Sequence, residues 1–566
     1  MKKPSNIIYG VEESPPLFVT ILNGMQHVAL IAINLVYPLL VFRAAGTSVD
    51  AIANLLAIGM LVLGAATVLQ AQRMGPVGSG YLCPSTFTAT YLPSSLLAAR
   101  LGGLPLVFGM TIFAGLLETA VAPLLNRLRA IFPIEISGLV IFMIGWSAGI
   151  AGLRLLLATD AAPVSASEWA VAGLTLTAMV ALNAWGKGLA QMLCALFGLV
   201  AGYVAAALGG VVEVGQWSAI DAAKWVGVPS FGHVSWSFDA TLAAPFAIGC
   251  IAAALKAIGT ITVCQRINDA DWVRTDMRSV TRGVLADGVS TALGGIVGTV
   301  GTNTATTSVG LAAATGVTSR KVAYAIGAIF AALALCPKLA AMLAVMPRAV
   351  LVAALLFAVT FIMINGLQVI ASRLLDGRRI LTLGLAFIAG GAVDVFPIIG
   401  RSVPKALSPI VASSFVFATL VALTLNLLFR IGVKKTVSLD VEAGAIDPQK
   451  IEDFFKSNGA KWGARPEVVA KATFGVVQLV DAVRSDFWQS GTLDIKASFD
   501  EFNLNVDLAY EGNALVFPEQ RPSNKQIRES EDGAHLMAGY MLKKCADRLR
   551  SQEKNGKAFL HLHYDH

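Results

Sequence analysis

Charged residues are scarce in this sequence. Only 14% of its 566 residues are Asp, Glu, Lys or Arg, whereas soluble globular proteins have about 25%. In contrast, 55% of the residues are hydrophobic, and the mean hydropathy is +0.68. This composition excludes an ordinary soluble protein and predicts a protein embedded in lipid. The net charge of +7 does not indicate nucleic-acid binding, because the basic residues cluster in short loops between apolar runs.

Paired cysteines are also lacking. The six cysteines are scattered, mostly in apolar stretches, with no spacing typical of a zinc site or a disulfide framework. We therefore expect no metal and no cofactor. A cleavable signal peptide is not expected either, because the start MKKPSNIIYGVEESPP is polar and the apolar run after it is too long for a signal core. That run should remain as the first membrane span.

Long apolar runs, by contrast, are abundant, and a membrane-spanning helix needs roughly 20 mainly apolar residues. Spans are predicted at residues 17–42, 51–71, 101–125, 131–153, 168–186, 189–211, 241–263, 284–300, 322–345, 348–370, 380–399 and 408–430. The segments 78–95 and 301–317 are apolar but rich in Gly, Ser, Thr and Pro, which predicts two half-spans. The total is about fourteen spans, and the fold class is an all-α polytopic membrane protein.

The two half-spans occupy the third and tenth positions, about 220 residues apart. Broken backbone is tolerated at membrane depth only inside protein or along a cavity. Two repeats of seven spans would have opposite orientations, because seven is odd. The sequence thus predicts a 7+7 inverted repeat with the substrate bound at the midplane, between two interrupted helices.

Loop charges predict the orientation. With the N-terminus inside the cell, the cytoplasmic loops receive more than twice as many Lys and Arg residues as the opposite side. We therefore expect an inner-membrane protein with both termini in the cytoplasm. The predicted domains are a cytoplasmic N-terminus at 1–16, a transporter domain at 17–433 and a soluble cytoplasmic domain at 434–566.

The soluble domain has a mixed pattern. A helix is predicted at 463–484, strands at TLDIKASF and FNLNVDLAY, a second helix at 534–551 and a last strand at KAFLHLHY. About 125 residues suffice for one small α/β domain. It faintly resembles a degenerate histidine-kinase-type ATPase domain, but it lacks the Asp-x-Gly-x-Gly loop that would hold nucleotide. A regulatory or dimerising role is predicted for it.

Four segments resemble the nucleobase/ascorbate transporter family (uracil/xanthine/urate permeases). They are GMQHVAL at 24–30, residues 81–93, QRINDADWVRTDMRSVTRGVLADGVSTALGGIVGTV at 265–300 and GTNTATTSVGLAAATGVTSR at 301–320. The resemblance implies fourteen spans, with a core domain of spans 1–4 and 8–11 and a gate domain of spans 5–7 and 12–14. It also implies a homodimer that imports a base with protons through an elevator-like movement of the core.

Candidate substrate-binding residues lie in the half-spans. Pro84 interrupts helical bonding in the third span, so that the backbone can contact a planar ligand beside Phe87 and Thr88. The resemblance implies that Phe87 stacks on the base; packing in the core is the alternative. In the tenth span, Thr306, Thr307 and Ser308 begin a helix whose positive dipole end favours carbonyl oxygens or negative charge.

The family signature of the tenth span continues with a glycine, and Gly310 matches it. The preceding polar pair is reduced here to the hydroxyls of Thr307 and Ser308. The eighth span departs further. When its glycine is aligned with Gly259, Lys256 stands where many relatives carry a base-binding glutamate.

A lysine inside a span is a functional candidate by default. The alternative is a structural ion pair of Lys256 with Asp287 or Glu135. Gln26 and His27 resemble the family's Gln-His pair, which orders the core near the site, and a structural hydrogen-bonding role is favoured for the histidine. Structural roles are also predicted for Asp287, Asp394 and Lys338.

These observations predict a secondary active transporter, not an enzyme, that imports a purine-related base, with urate or xanthine favoured over uracil. Its expected partners are a small-molecule substrate, membrane lipid and a second copy of the chain, without nucleic acid. One alternative is a carrier or exchanger of another small organic or inorganic anion. A second is a membrane sensor that signals through the soluble domain.

Overall fold

The computed structural model describes two compact units, Met1–Leu425 and Asn426–His566. The described residues are 2–73, 75–124, 133–157, 164–211, 220–232, 234–272, 275–371, 375, 377–396, 398–401, 403–404, 408–411, 413–429, 435–442, 447–462, 464, 466–483, 490–499, 503–511, 517–518, 520–522, 533–554 and 557–565.

In the described residues of the first unit, the regular elements are helices and two three-residue strands. Its helices in the first half of the chain are α1 (Leu17–Ala32), α2 (Val36–Ala44), α3 (Val49–Ala71), α4 (Leu92–Val121), α5 (Ile134–Leu157), α6 (Ala166–Trp185) and α7 (Cys194–Leu208). Those in the second half are α8 (Ala243–Asn268), α9 (Met277–Val297), α10 (Thr306–Thr315), α11 (Lys321–Ala334), α12 (Pro337–Ala344), α13 (Arg348–Ala371), α14 (Gly377–Val395) and α15 (Ser414–Phe429), whose last turn passes the boundary between the units; helices of four residues are not numbered. The short strands are β1 (Ser85–Phe87) and β2 (Thr302–Thr304).

Six helices of the described residues are long and apolar enough to cross a membrane, or seven if the bent pair α11–α12 is one span. The fourteen spans and the repeat of seven thus stay predictions. The predicted span at 322–345 is not one straight helix, because α11 and α12 meet at an angle of 79°. Cys336 between them has φ −111° and ψ 84°, which is not helical, because the proline that follows disfavours the α conformation.

The predicted break between the third and fourth spans falls inside α4. Gly102 and Gly103 leave the helical conformation there, with φ of +66° at Gly103. Glycine tolerates that left-handed conformation because it has no Cβ. The residues before the break form a short helical arm that begins just after β1, as a half-span would.

Small residues allow close helix packing. A Cβ at Gly115 of α4 would lie 2.6 Å from the Gly288 carbonyl oxygen of α9. Likewise, a Cβ at Gly366 of α13 would lie 2.8 Å from the Gly138 oxygen of α5. Such contacts are typical of membrane helices, where small residues let backbones approach closely.

The second unit contains a five-stranded antiparallel sheet in the order β3-β4-β5-β7-β6. Its elements are β3 (Lys435–Glu442), α16 (Pro448–Trp462), α17 (Pro466–Val483), β4 (Ser490–Phe499), β5 (Asn503–Glu511), α18 (Gly533–Cys545), β6 (Arg548–Lys554) and β7 (Lys557–Asp565). Strand β5 alternates between buried and more exposed side chains. One face therefore packs on the helices, as expected for a half-solvated antiparallel sheet.

The second helix predicted for this unit is too long. It ends at Cys545, and residues 548–554 pair with β7 from Arg548↔His563 to Lys554↔Lys557. The sequence RLRSQEK has good helix formers, but the adjacent edge of β7 provides ladder hydrogen bonds that override this local preference. Strand β3 and helix α16 were not predicted. The kinase-like interpretation of this unit stays a prediction.

Candidate functional site

The two short strands β1 and β2 pair with each other inside the first unit, and this pair of strands is called the crossing below. β1 and β2 are antiparallel, with Ser85 opposite Thr304 and Phe87 opposite Thr302. All six residues of the two strands are buried. A helical segment follows each strand: the 3₁₀ turn Ala89–Tyr91 leads into α4, and α10 begins at Thr306. The crossing thus brings together two helix starts from different halves of the chain.

Hydrogen bonds to four helical segments hold the two strands in place. On the β1 side, Asn34 Nδ2 donates to Thr86 Oγ1 at 2.7 Å, and the Ser85 amide donates to Thr67 Oγ1 at 3.0 Å. On the β2 side, Thr291 Oγ1 donates to the Thr302 carbonyl at 3.0 Å and accepts from the Thr302 amide at 3.2 Å. Asn303 Nδ2 donates to the carbonyl of Ala253 in α8 at 3.0 Å. The strand positions are therefore determined by buried polar contacts.

Asp287 of α9 supports β2 from behind. Its Oδ2 accepts from the Thr304 amide at 3.3 Å, and its Oδ1 accepts from Gln70 Nε2 of α3 at 3.4 Å. The side chain is 1% exposed. These contacts agree with the structural role predicted for this residue.

An exposed polar surface lies beside the crossing. Thr306, Thr307 and Gly310 form the exposed side of α10 at its start, and Gly259 is exposed on α8. The helices are joined here by Thr260, whose Oγ1 is 2.8 Å from Thr306 Oγ1. A Cβ at Gly259 or at Gly310 would meet no atom within 4 Å. This open polar surface (Lys256, Gly259, Thr306, Thr307 and Gly310) would let a flat ligand approach the backbone closely.

Lys256 is half-buried at one end of the open polar surface, one turn before Thr260. Thr260 Oγ1 donates to the Lys256 carbonyl at 3.0 Å. Of the two carboxylates considered as ion-pair partners, Asp287 interacts electrostatically with Lys256 without a close salt bridge. Glu135 instead pairs with Arg379, with 2.9 Å between Glu135 Oε1 and Arg379 Nε. The predicted pairing of Lys256 with Glu135 is therefore wrong.

The other predicted substrate contacts are enclosed. Phe87 is 1% exposed, and its ring packs on Gly59 of α3, where a Cβ would lie 2.9 Å from Phe87 Cζ. Thr88 is 4% exposed and caps the following turn through its Oγ1, which accepts from the Thr90 amide at 3.2 Å. Ser308 is fully buried, and its Oγ has no hydrogen-bond partner in the described residues. The structure brings Thr306 and Thr307 together at an open surface, and it places Phe87 and Ser308 behind that surface.

Gln26 and His27 lie on α1, which packs on α11 through Gly24. His27 is fully buried, and neither ring nitrogen has a hydrogen-bond partner in the described part of the chain. The Oε1 atom of Gln26 has none either. The hydrogen-bonding role predicted for His27 is therefore not found in this conformation.

Two other charged residues have partners that agree with the predicted structural roles. Asp394 lies 3.7 Å from Arg154, and Lys338 Nζ lies 4.7 Å from the centre of the Trp225 ring. No group of three or more His, Cys, Asp or Glu side chains in the described ranges could hold a metal ion.

Sequence reasoning missed Glu118 of α4. This carboxylate is fully buried and accepts a hydrogen bond from the Tyr91 hydroxyl at 2.9 Å. An ionisable residue within an apolar span, here in the run FAGLLETAV, is a sufficient signal to find it.

Comparison with known proteins agrees with this architecture. Residues 18–399 match the model of the permease family. The chain belongs to the permease family. It is therefore a multi-pass membrane transporter and not an enzyme, and the resemblance expected from the sequence is confirmed.

Three relatives illustrate the similarity. The chain is 28% identical to the uric acid permease PucJ of Bacillus subtilis (strain 168) over 73% of this chain and 93% of the relative. It is 27% identical to the xanthine permease of the same organism over 75% of this chain and 96% of the relative. It is 24% identical to the xanthine permease XanP of Escherichia coli (strain K12) over 75% and 95%.

Among solved structures, the transmembrane domain of the cyanobacterial bicarbonate transporter BicA covers 74% of this chain and 100% of its own. Its TM-score is 0.45, with 15% sequence identity.

Proposed function

We propose that this permease is a secondary active transporter that imports a purine-related nucleobase, with urate or xanthine preferred over uracil. The main support is the open polar surface, which combines Lys256, the exposed Thr306 and Thr307 and the uncovered backbone of Gly259 and Gly310. Relatives named as uric acid and xanthine permeases support this substrate class. Lys256 favours the oxygen-rich, more acidic purines, because an ammonium group binds carbonyl oxygens and anions.

The ligand would lie flat against the glycines of α8 and α10. Thr306 and Thr307 would provide hydroxyl hydrogen bonds, and the start of α10 would add its positive dipole end. Phe87 and Thr88 would not touch the ligand in this conformation but would fix the position of β1 and the turn after it. Ser308 would likewise contribute from the buried side of α10. Gly59 leaves room for the Phe87 ring, so that β1 can lie close to α3.

Transport would be coupled to protons and proceed by an elevator-like movement of the core domain against the gate domain. Fourteen spans in a 7+7 inverted repeat are part of this proposal. Two observations support it: β1 and β2 come from different halves of the chain and pair antiparallel, and each leads into a helical segment. A homodimer in the inner membrane is proposed on the resemblance to the family.

Uptake of a panel of radiolabelled compounds into proteoliposomes tests the substrate class. The panel includes urate, xanthine, hypoxanthine, uracil and sulfate, and protein-free liposomes are the control. We expect saturable uptake of urate or xanthine, and competition by the other. Uptake of sulfate alone would instead establish the anion carrier, the second candidate that Lys256 favours.

Both termini are proposed to be cytoplasmic because of the loop charges. An alkaline phosphatase fused after His566 should be inactive, whereas a fluorescent protein that matures in the cytoplasm should be bright there. Phosphatase activity at this position would contradict the topology.

A further inference from the structure

We propose that Glu118 is the residue that holds the coupled proton, and that Tyr91 links this carboxyl group to the substrate-binding crossing. The inference rests on the proposed function, since a coupled proton presupposes a proton-driven base transporter. The family resemblance implies a carboxylate on the eighth span, at the position where this chain has Lys256. A proton-coupled mechanism in this chain therefore needs another carboxyl group.

The surroundings of Glu118 fit a proton-holding group. Its side chain is fully buried, its Oε2 accepts from Tyr91, and its Oε1 has no hydrogen-bond partner in the described residues. An ionised carboxylate with one free oxygen in an apolar interior is strongly disfavoured, whereas the neutral acid is tolerated. The free oxygen is thus suited to carry the proton in this conformation.

Three other carboxylates of the first unit with largely buried side chains each have a cationic partner among the described residues. The pairs are Glu135 with Arg379, Glu168 with Arg348, and Asp394 with Arg154. Asp287 interacts with Lys256. A nearby cation favours the ionised form of a carboxylate, so these groups are less suited than Glu118 to hold a proton. Glu118 has a neutral partner instead, the Tyr91 hydroxyl.

The charges around the crossing also favour Glu118 as the group that holds the proton. The groups that act on Glu118 are Tyr91 from the turn after β1, Asp287 from α9 and Cys250 from α8. Lys256 supplies one positive charge, and Asp287 and Glu118 could supply two negative charges. The interior is neutral when one of the two carboxyl groups is protonated. Asp287 accepts from the Thr304 amide and faces Lys256, whereas Glu118 accepts only from the neutral Tyr91 hydroxyl among the described residues, so we assign the proton to Glu118.

Tyr91 connects this proton to the substrate site. Its ring lies between α8 and the residue before β2, since a Cβ at Gly249 would be 3.3 Å from Tyr91 Cδ1 and a Cβ at Gly301 would overlap the ring. The Gly301 carbonyl also accepts from the Thr88 amide at 3.5 Å. Loss of the proton would place two negative charges near each other, on Glu118 and on Asp287, which holds the Thr304 amide. The protonation state would therefore be transmitted to both strands of the crossing.

The proposed step is a simple acid dissociation. Protonated Glu118 releases H⁺ to the side with the lower proton concentration and becomes a carboxylate. It accepts H⁺ from the other side in the next cycle. No oxidant, metal or further reactant is required.

Glu118→Gln tests the proposal in proteoliposomes, because glutamine is isosteric with the neutral acid but cannot release a proton. In counterflow, where internal unlabelled xanthine exchanges with external labelled xanthine without a pH gradient, we expect rates similar to wild type. Accumulation driven by an imposed pH gradient should fall at least tenfold. Xanthine-induced proton flux, followed with an external pH dye, should be lost. Glu118→Asp should restore part of that flux.

Asp50→Asn is the matched control, since Asp50 is an exposed carboxylate in the first turn of α3, and this variant should keep gradient-driven accumulation. Wild-type-like, gradient-driven accumulation in Glu118→Gln would overturn the proposal. If wild type shows counterflow of neither xanthine nor urate, it is the proposed function that fails.

If Glu118→Gln loses counterflow as well, infrared difference spectra with and without xanthine decide the matter. The proposal requires a protonated-carboxyl C=O band in wild type that is absent from the variant. A band that persists in the variant would contradict it.

Discussion

Lys256 is the residue at which this chain departs most clearly from the family pattern. It lies half-buried at the edge of the open polar surface, and it interacts electrostatically with Asp287. A cation in this position favours a partial negative charge on the ligand, whereas the glutamate that the family resemblance implies here would accept a hydrogen bond from the base. The side chain thus has a direct influence on which bases can bind.

Lys256→Gln should weaken urate binding about tenfold or more, because a hydrogen bond to a charged group contributes about 1.5–3 kcal/mol. Lys256→Glu should shift the preference from urate toward a neutral base such as uracil. Competition against labelled xanthine uptake measures both effects. Lys338→Gln is the control, since Lys338 lies over Trp225 outside the proposed site. Unchanged urate competition in Lys256→Gln would make this lysine a structural residue.

Cysteine accessibility distinguishes the open polar surface from the enclosed side chains behind it. In a cysteine-free background, Thr306→Cys and Thr307→Cys should react with a small polar thiol reagent and be protected by xanthine. Phe87→Cys and Ser308→Cys should react far more slowly, because both native side chains are buried. Rapid labelling of Phe87→Cys with protection by xanthine would place the ring at the ligand, as the family resemblance implies.

The crossing of β1 and β2 illustrates what could be predicted at the level of elements. Pro84 and the Ser/Thr-rich segments indicated broken backbone, and short strands are found there. The direction of the Phe87 ring could not be predicted, because it depends on Gly59, a residue of another helix. Strand β6 could not be predicted either, because its pairing with β7, from another part of the sequence, overrides its local helical preference. Local composition thus indicated where the backbone breaks, while contacts distant in sequence determined what faces the ligand.

Thr291→Val should destabilise the crossing. Thr291 is fully buried, and its hydroxyl satisfies both the amide and the carbonyl of Thr302. Valine has the same shape but leaves both groups unpaired, at a cost of about 1–3 kcal/mol. We expect a lower Tm in detergent and weaker xanthine binding. The exposed Thr360→Val, which removes only a hydroxyl bond to the Leu356 carbonyl, should change neither. Equal effects of the two substitutions would show that the Thr302 contact is unimportant.

At the scale of the whole molecule, the two compact units have separate hydrophobic cores. The core of the second unit includes Phe455, Leu479, Leu508 and Leu560, all at most 2% exposed. The proposed binding surface, the crossing and the buried Glu118 all belong to the first unit. The match to the permease family also ends within that unit, at residue 399. We therefore expect transport to depend on the first unit.

Removal of residues 435–566 distinguishes a transporter with an accessory domain from a sensor that signals through this domain. The deletion begins at β3, so it removes the whole sheet and leaves no unpaired strand behind. Because an independent domain contributes its own folding energy, we expect the truncated chain to take up xanthine within about twofold of wild type per folded protein. Size-exclusion chromatography in detergent supplies the normalisation. A truncated protein that elutes as a single folded species and still binds xanthine, but no longer transports it, would show that the second unit controls the transport step.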